Sequence, residues 1–211
     1  MSAVAATIRP PVVRRLGCVD YLTTWRSMQQ FTRERGSTTQ DEIWLLEHPP
    51  VFTLGLAGRM EHVIEPGNIP VVKVDRGGQV TYHGPGQAIA YTLLDLRRLG
   101  IGVKDLVRRL EQAVIDALGG YGIAGERRRG MPGVYVQGEK VAAVGLRIER
   151  GCCYHGLALN VDVALEPFAR IDPCGYPGLA LTRLADLGVR DSIEHVQQRL
   201  ALALTAQLAT R

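Results

Sequence analysis

Glycine punctuates this chain so often that its apolar residues come in short runs. There are 24 glycines in 211 residues, many of them between positions 77 and 178. Glycine supplies tight turns and lets backbone come close to backbone or to a ligand. The expected product is a set of short strands and hairpins with a few helices, an α+β (mixed α/β) fold. Aromatic residues make up only 6% of the chain, so Val, Leu, Ile and Ala must build most of the core. No repeat, low-complexity stretch or linker divides the sequence. A single domain over residues 1–211 is therefore expected, and a chain of this length can bury a substantial core.

Residues 11–19 read as a strand. Asp20 caps a helix that runs to about Arg35, with Leu22, Trp25, Met28, Gln29 and Phe31 on one face. A strand from Asp41 to His48 is broken by Pro49-Pro50 and resumes over Val51–Leu54. Residues 55–70 form a loop, and Val71–Val74 a short strand. A glycine-rich stretch from Arg76 to Gln87 leads into an apolar strand, Ala88–Leu94. Val103, Leu106, Val107, Leu110, Val114, Ile115 and Leu118 fall at helical spacing. Residues 133–148 form a hairpin turning at Gly138-Glu139, Leu157–Val163 is another strand, and a last helix opens at Asp191 with Glu194 in capping-box position.

The remaining composition narrows the function. Hydrophobic residues at 46% and charged residues at 22% are ordinary for a globular protein. The net charge of +4 is mild, and the basic residues are scattered, with Arg127-Arg128-Arg129 the densest group. No nucleic-acid motif accompanies them, so no nucleic acid is expected, whereas an acidic partner protein would suit them. No apolar run reaches the ~18–20 residues that span a membrane. The N-terminus lacks a secretory pattern, which predicts a cytoplasmic protein and no membrane partner. The cysteines, Cys18, Cys152, Cys153 and Cys174, have neither disulfide-framework nor zinc spacing, so thiols and no metal are expected. Cys18, Cys152 and Cys153 sit in strands and read as structural.

Two residues stand out chemically. Of 25 basic residues only three are lysines, Lys73, Lys104 and Lys140. An arginine stays protonated, whereas a desolvated lysine can lose its proton and act as a base. Lys140 stands just past the Gly138 turn at the start of an apolar strand. The plain reading is a solvated turn residue in an arginine-biased chain. Cys174 lies in Asp172-Pro173-Cys174-Gly175-Tyr176-Pro177-Gly178, a loop context where cysteine is seldom core filler. Together they form a candidate base and nucleophile. The stretch Arg76-Gly77-Gly78-Gln79-Val80-Thr81-Tyr82-His83-Gly84-Pro85-Gly86-Gln87 can offer backbone amides to an oxygen or a thioester carbonyl, or can simply be a turn before a strand. His48, His62 and His195 have no partner visible in the sequence.

Taken in order, the stretch from Arg76 to Gln87, Gly138-Glu-Lys140-Val-Ala-Ala143-Val144-Gly145, His155-Gly156-Leu157-Ala158-Leu-Asn160 and Asp172-Pro-Cys174-Gly resemble the octanoyltransferases of lipoate synthesis, also called lipoyl(octanoyl) transferases. The agreement runs from about residue 45 to 187. The resemblance implies the fold of the biotin and lipoate protein ligase catalytic domain, and no cofactor. It implies transfer of octanoyl from octanoyl-acyl carrier protein to one lysine of apo-lipoyl domains, in 2-oxo-acid dehydrogenase complexes or the glycine-cleavage H protein. By similarity Cys174 accepts the acyl group as a thioester and Lys140 handles protons. The acyl pocket would be lined by Arg76 to His83, by Ala143, Val144 and Gly145, and by Gly156, Leu157 and Ala158.

Two rivals share parts of this pattern. An ATP-dependent lipoate or biotin protein ligase has the same fold but makes an acyl-adenylate and needs no cysteine nucleophile. An inert module that binds acyl carrier protein would keep the pocket and the arginines without needing Cys174.

Overall fold

A computed structural model describes residues 9–172 and 180–209. In chain order the first elements are β1 (Val12–Cys18), α1 (Tyr21–Glu34), β2 (Glu42–Glu47), β3 (Val51–Leu54), β4 (Val71–Lys73), β5 (Val80–His83) and β6 (Gln87–Asp95). They continue with α2 (Leu96–Leu99), α3 (Val103–Gly119), β7 (Glu126–Arg128), β8 (Met131–Val136), β9 (Glu139–Glu149), β10 (Cys152–Asn160) and α4 (Ile193–Ala209). Seven strands form one sheet in the order β1-β2-β6-β10-β9-β8-β7, and β4-β3-β5 form a smaller second sheet.

The central strands β6 and β10 are buried along their whole length, which requires cover on both faces. Alternation deals their side chains to two cores. Ile43, Leu45, Ala88, Ala90 and Leu94 face the α3 and α4 side, where Leu106, Leu110, Val114, Leu200 and Leu204 meet them at helical spacing. Each such leucine contributes about 1.5–3 kcal/mol by leaving water. Trp44, Leu46, Ile89, Tyr91 and Leu93 face the other way and pack on Met28 of α1. Asp20 caps α1 as expected, its carboxylate accepting from Thr23 N. Leu22, read as part of the inner face, is exposed instead, and Tyr21, Thr24, Met28 and Thr32 are buried.

Four other readings are corrected. Val51–Leu54 does not resume β2. Pro49 and Pro50 lack the donors needed to continue a ladder, and the chain turns out of the large sheet into the small one. Within the glycine-rich stretch, Val80–His83 is a strand of its own, β5, paired antiparallel with β3. Cys18, read as core filler, is exposed on the edge strand β1. The last helix starts at Ile193, and Ser192 Oγ accepts from His195 N.

One register decides where the site can lie. Gly156 of β10 stands between Tyr91 of β6 and Gly145 of β9, and Ala158 stands opposite Ala143. These small residues leave a trough in the α1-side face of the sheet. A Cβ on Gly156 would fall 2.1 Å from the Ala90 carbonyl oxygen. Gly156→Ala should therefore cost about 1–3 kcal/mol of overpacking, read as a lower urea midpoint with an unchanged slope.

Candidate active site

The trough is the floor of a cavity of about 410 Å³. Residues 143–145 of β9 and 156–158 of β10 line it from below, and residues 76–81 with His83 line it from above. The upper segment is tied down by its own backbone. Gly77 N donates to Leu146 O at 2.8 Å, and Gly55, Leu56 and Ala57 donate to the carbonyls of Gln79, Arg76 and Gly78. A Cβ on Gly145 would meet Arg76 Cδ at 3.3 Å, so the arginine stem crosses directly over that glycine. The Arg76 guanidinium is buried, donating from Nη2 to Thr53 O at 2.6 Å and Thr53 Oγ1 at 2.8 Å, and from Nη1 to Gly77 O at 2.9 Å. Arg76 thus fastens the small sheet to the pocket roof. The close backbone approach that the glycines permit is spent partly on protein, since the Gly77 amide already serves Leu146 O.

All the sequence-predicted lining residues among those described border the cavity except Tyr82. Its ring packs on Phe52 and Phe168, with centroids 5.5 and 5.3 Å away. Tyr21, Tyr91, Gln87 and Asn160 also border the cavity, as do Val103 and Val107 of α3 and Gly130-Met131-Pro132 at the β7–β8 turn. No local pattern marks Tyr21, Tyr91 or the α3 valines, because only the sheet order brings them here.

Lys140 is the second residue of β9 and is 7% exposed. It borders the cavity, with Nζ 5.4 Å from the centre of the Tyr135 ring. Lys73 and Lys104 are exposed, so Lys140 is not the solvated turn residue of the plain reading. Cys174 lies outside the described residues. Of the described residues that flank it, Asp172 donates its N–H to His62 O at 2.8 Å, and Ala180 O accepts from Lys140 N at 2.9 Å. Among the described residues no group of His, Cys, Asp or Glu is arranged to hold a metal ion.

The lipoyl protein ligase A/B catalytic-domain model matches residues 20–205. The octanoyltransferase of Alkalilimnicola ehrlichii is 63% identical over 190 residues, 90% of this chain and 88% of the relative. The chain belongs to this family, among its octanoyltransferases. Its fold is also that of a lipoate-protein ligase A bound with ATP, at a TM-score of 0.78 and 14% identity over 95% of this chain and 86% of the other. A biotin protein ligase from Aquifex aeolicus follows at 0.56 and 15%, over 93% and 70%. As in its relatives by name, the chemistry here is acyl transfer.

In this octanoyltransferase the inner end of the cavity is a cluster of buried imidazoles. His48 Nδ1–H donates to Val19 O at 2.6 Å, so its Nε2 accepts from the Tyr91 hydroxyl at 2.8 Å. His83 stacks on Tyr21 and donates from Nδ1 to Gln87 Oε1 at 2.7 Å. His155 has φ of 63°, and with Tyr154 it reaches the same carboxylate, Asp75, although neighbouring strand residues ordinarily face opposite ways. Asp75 accepts from His155 Nε2 at 3.1 Å, Trp25 Nε1 at 2.8 Å, Gln29 Nε2 at 3.0 Å and the Tyr154 hydroxyl. Burial would raise that carboxyl's pKa, but the four donors outweigh it and hold the group well below the usual carboxylate range. Sequence reading found no partner for His48 or His62. The structure supplies Val19 and Tyr91 for the first and Gln79 for the second, and exposed His195, likewise without a partner in the sequence, meets Asp191.

Burial pushes His48 down to about 4 and His83 down to about 3. Both are neutral in the folded protein, while in the unfolded chain each takes a proton below about 6.5. The unfolded state binds more protons in that window, so stability falls as pH drops from about 6.5 toward 4. Each histidine adds up to about 1.4 kcal/mol per pH unit to the slope. Urea unfolding between pH 7 and pH 5 should show this loss, and His48→Gln should remove one histidine's share of it, leaving those of His83 and His155.

Proposed function

We propose that this octanoyltransferase moves octanoyl from octanoyl-acyl carrier protein to one lysine of an apo-lipoyl domain through an acyl-thioester on Cys174. Acceptors would be the lipoyl domains of 2-oxo-acid dehydrogenase complexes and the glycine-cleavage H protein, in the cytoplasm, with the chain acting as one catalytic domain. The observation that carries the reading is a buried lysine at the edge of a trough floored by Ala143, Gly145, Gly156 and Ala158. A straight acyl chain fits such a floor, at roughly 0.8 kcal/mol per buried CH₂.

The steps balance without ATP. Lys140, neutral, takes the Cys174 proton. The thiolate attacks the thioester carbonyl, the carrier's pantetheine sulfur leaves, and Lys140 returns the proton to it. The acceptor amine then attacks acyl-Cys174, giving its proton by way of Lys140 to the departing cysteine sulfur. An amide forms and the enzyme thiol is restored. Such proton transfers typically contribute ~10²–10⁴-fold.

Intact-mass spectrometry with octanoyl-carrier protein and no ATP should show one octanoyl group gained, then lost to apo-lipoyl domain on chase. Cys174→Ser should gain none. Lys140→Arg should put a fixed charge there and lose the turnover, because arginine does not deprotonate. Modification of the domain only with ATP and free acid would support the ligase reading, and an unchanged Cys174→Ser enzyme the inert-module one.

Charge supports the donor assignment. Val103 and Val107 border the cavity beside exposed Lys104 and Arg108, and Gly130-Met131-Pro132 border it beside exposed Arg128 and Arg129. An acidic carrier would be steered to this rim. Arg108→Glu with Arg129→Glu should raise KM for octanoyl-carrier protein about tenfold at low salt. The effect should fade as salt rises, and KM for octanoyl-pantetheine should stay put.

A further inference from the structure

We infer that Asn160 is a positioning residue for Lys140, holding the backbone of residues 180–182 against it through a buried hydrogen-bond line that begins at His83. The inference rests on the proposed catalytic role of Lys140 for its functional weight, but not for its geometry. Gln87 and Asn160 are register partners, the first residue of β6 and the last of β10. His83 Nδ1 donates to Gln87 Oε1 at 2.7 Å, Gln87 Nε2 donates to Asn160 Oδ1 at 3.0 Å, and Asn160 Nδ2 donates to Thr182 O at 3.0 Å. The same short segment brackets Lys140, with Lys140 N donating to Ala180 O at 2.9 Å and Thr182 N donating to Lys140 O at 3.1 Å. Asn160 O also accepts from Leu184 N at 3.0 Å, so Asn160 holds this return segment at two points.

The line has a fixed direction. A carbonyl can only accept, so Thr182 O demands the Asn160 N–H₂. The Asn160 oxygen is then left for Gln87, whose own oxygen is left for an imidazole N–H. His83, Gln87, Asn160, Thr182 and Lys140 are all buried, where an unmade bond is costly and a made one rigid. Burial also keeps His83 neutral, its pKa pushed down to about 3. The line therefore does not invert across the pH range in which an amine could act as a base. It ends on the peptide of the one buried lysine, on both of that residue's backbone groups.

The scarcity of lysine makes this testable. Protein labelled with ¹⁵N at the lysine side-chain nitrogen carries three reporters, Lys73, Lys104 and Lys140, and Lys140→Arg identifies the third by its loss. Asn160→Ala removes the line. Asn160→Asp, close in volume, keeps the acceptor for Gln87 but has no N–H for Thr182, and it carries the test where the alanine variant does not fold. In both, the Lys140 signal should move while the other two stay. Octanoyl transfer should fall about 10²-fold in kcat with KM little changed, as a misplaced catalytic group requires. An unmoved Lys140 signal in a folded variant, even with a lowered melting temperature or lowered activity, overturns the inference. A moved signal with full transfer would uphold the line and reject the catalytic reading of Lys140.

Discussion

The carboxylate of Asp75 is the point on which the site's geometry turns. It accepts from Trp25 and Gln29 on α1 and from Tyr154 and His155 on β10, and it immediately precedes Arg76, where the pocket roof begins. One side chain therefore joins a covering helix, the central sheet and the roof of the cavity. A half-buried charge is stabilised when its oxygens are engaged, and four donors do this for Asp75. The same demand accounts for the left-handed φ at His155, a conformation that costs a non-glycine residue of order 1 kcal/mol or more. It is the turn that sends two consecutive side chains to one carboxylate.

With the roof fixed, the cavity exists because side chains are missing from the floor. A sheet buried on both faces would ordinarily fill the space above Gly145 and Gly156 with apolar groups. Here the arginine stem and the glycine-rich backbone take one side of that space and the cavity is the other. Any ligand that binds such a trough in the folded state alone would return the stability forgone in leaving it unpacked. The glycines therefore do two jobs that cannot be separated: Gly156 admits the Ala90 carbonyl and also leaves room for a ligand.

Much of this was legible in the chain. Caps and periodicity located α1, α3 and α4 but not the single turn of α2, and the apolar runs located β2, β6 and the β8–β9 hairpin, because local rules set those features. Four segments in order marked the family and the lining of the cavity. What failed was non-local. Nothing near Val51 says that Pro49 and Pro50 redirect it into a second sheet, and nothing near Tyr82 says that Phe168 packs against its ring. Tyr21, Tyr91 and Val103 reach the cavity only through a strand order that pairs β6 with β10 and seats α3 beside them. His48 looked partnerless because its partners lie 29 and 43 residues away.

The buried imidazoles also bear on why a lysine should carry the protons. His48 and His83 are held at about 4 and about 3, and burial lowers His155 as well. A base so weak is neutral at working pH yet takes a proton from a thiol poorly, since proton transfer is most effective when the base's pKa lies near the operating pH. Their ring nitrogens are moreover committed to Val19, Tyr91, Gln87 and Asp75. They serve as shape and as fixed donors. An amine begins from a much higher pKa than an imidazole, so as a general matter burial that takes a histidine out of the useful range moves an amine toward it. An arginine at position 140 would begin too high to be brought down, so a buried lysine there suits the proton-transfer role proposed for it.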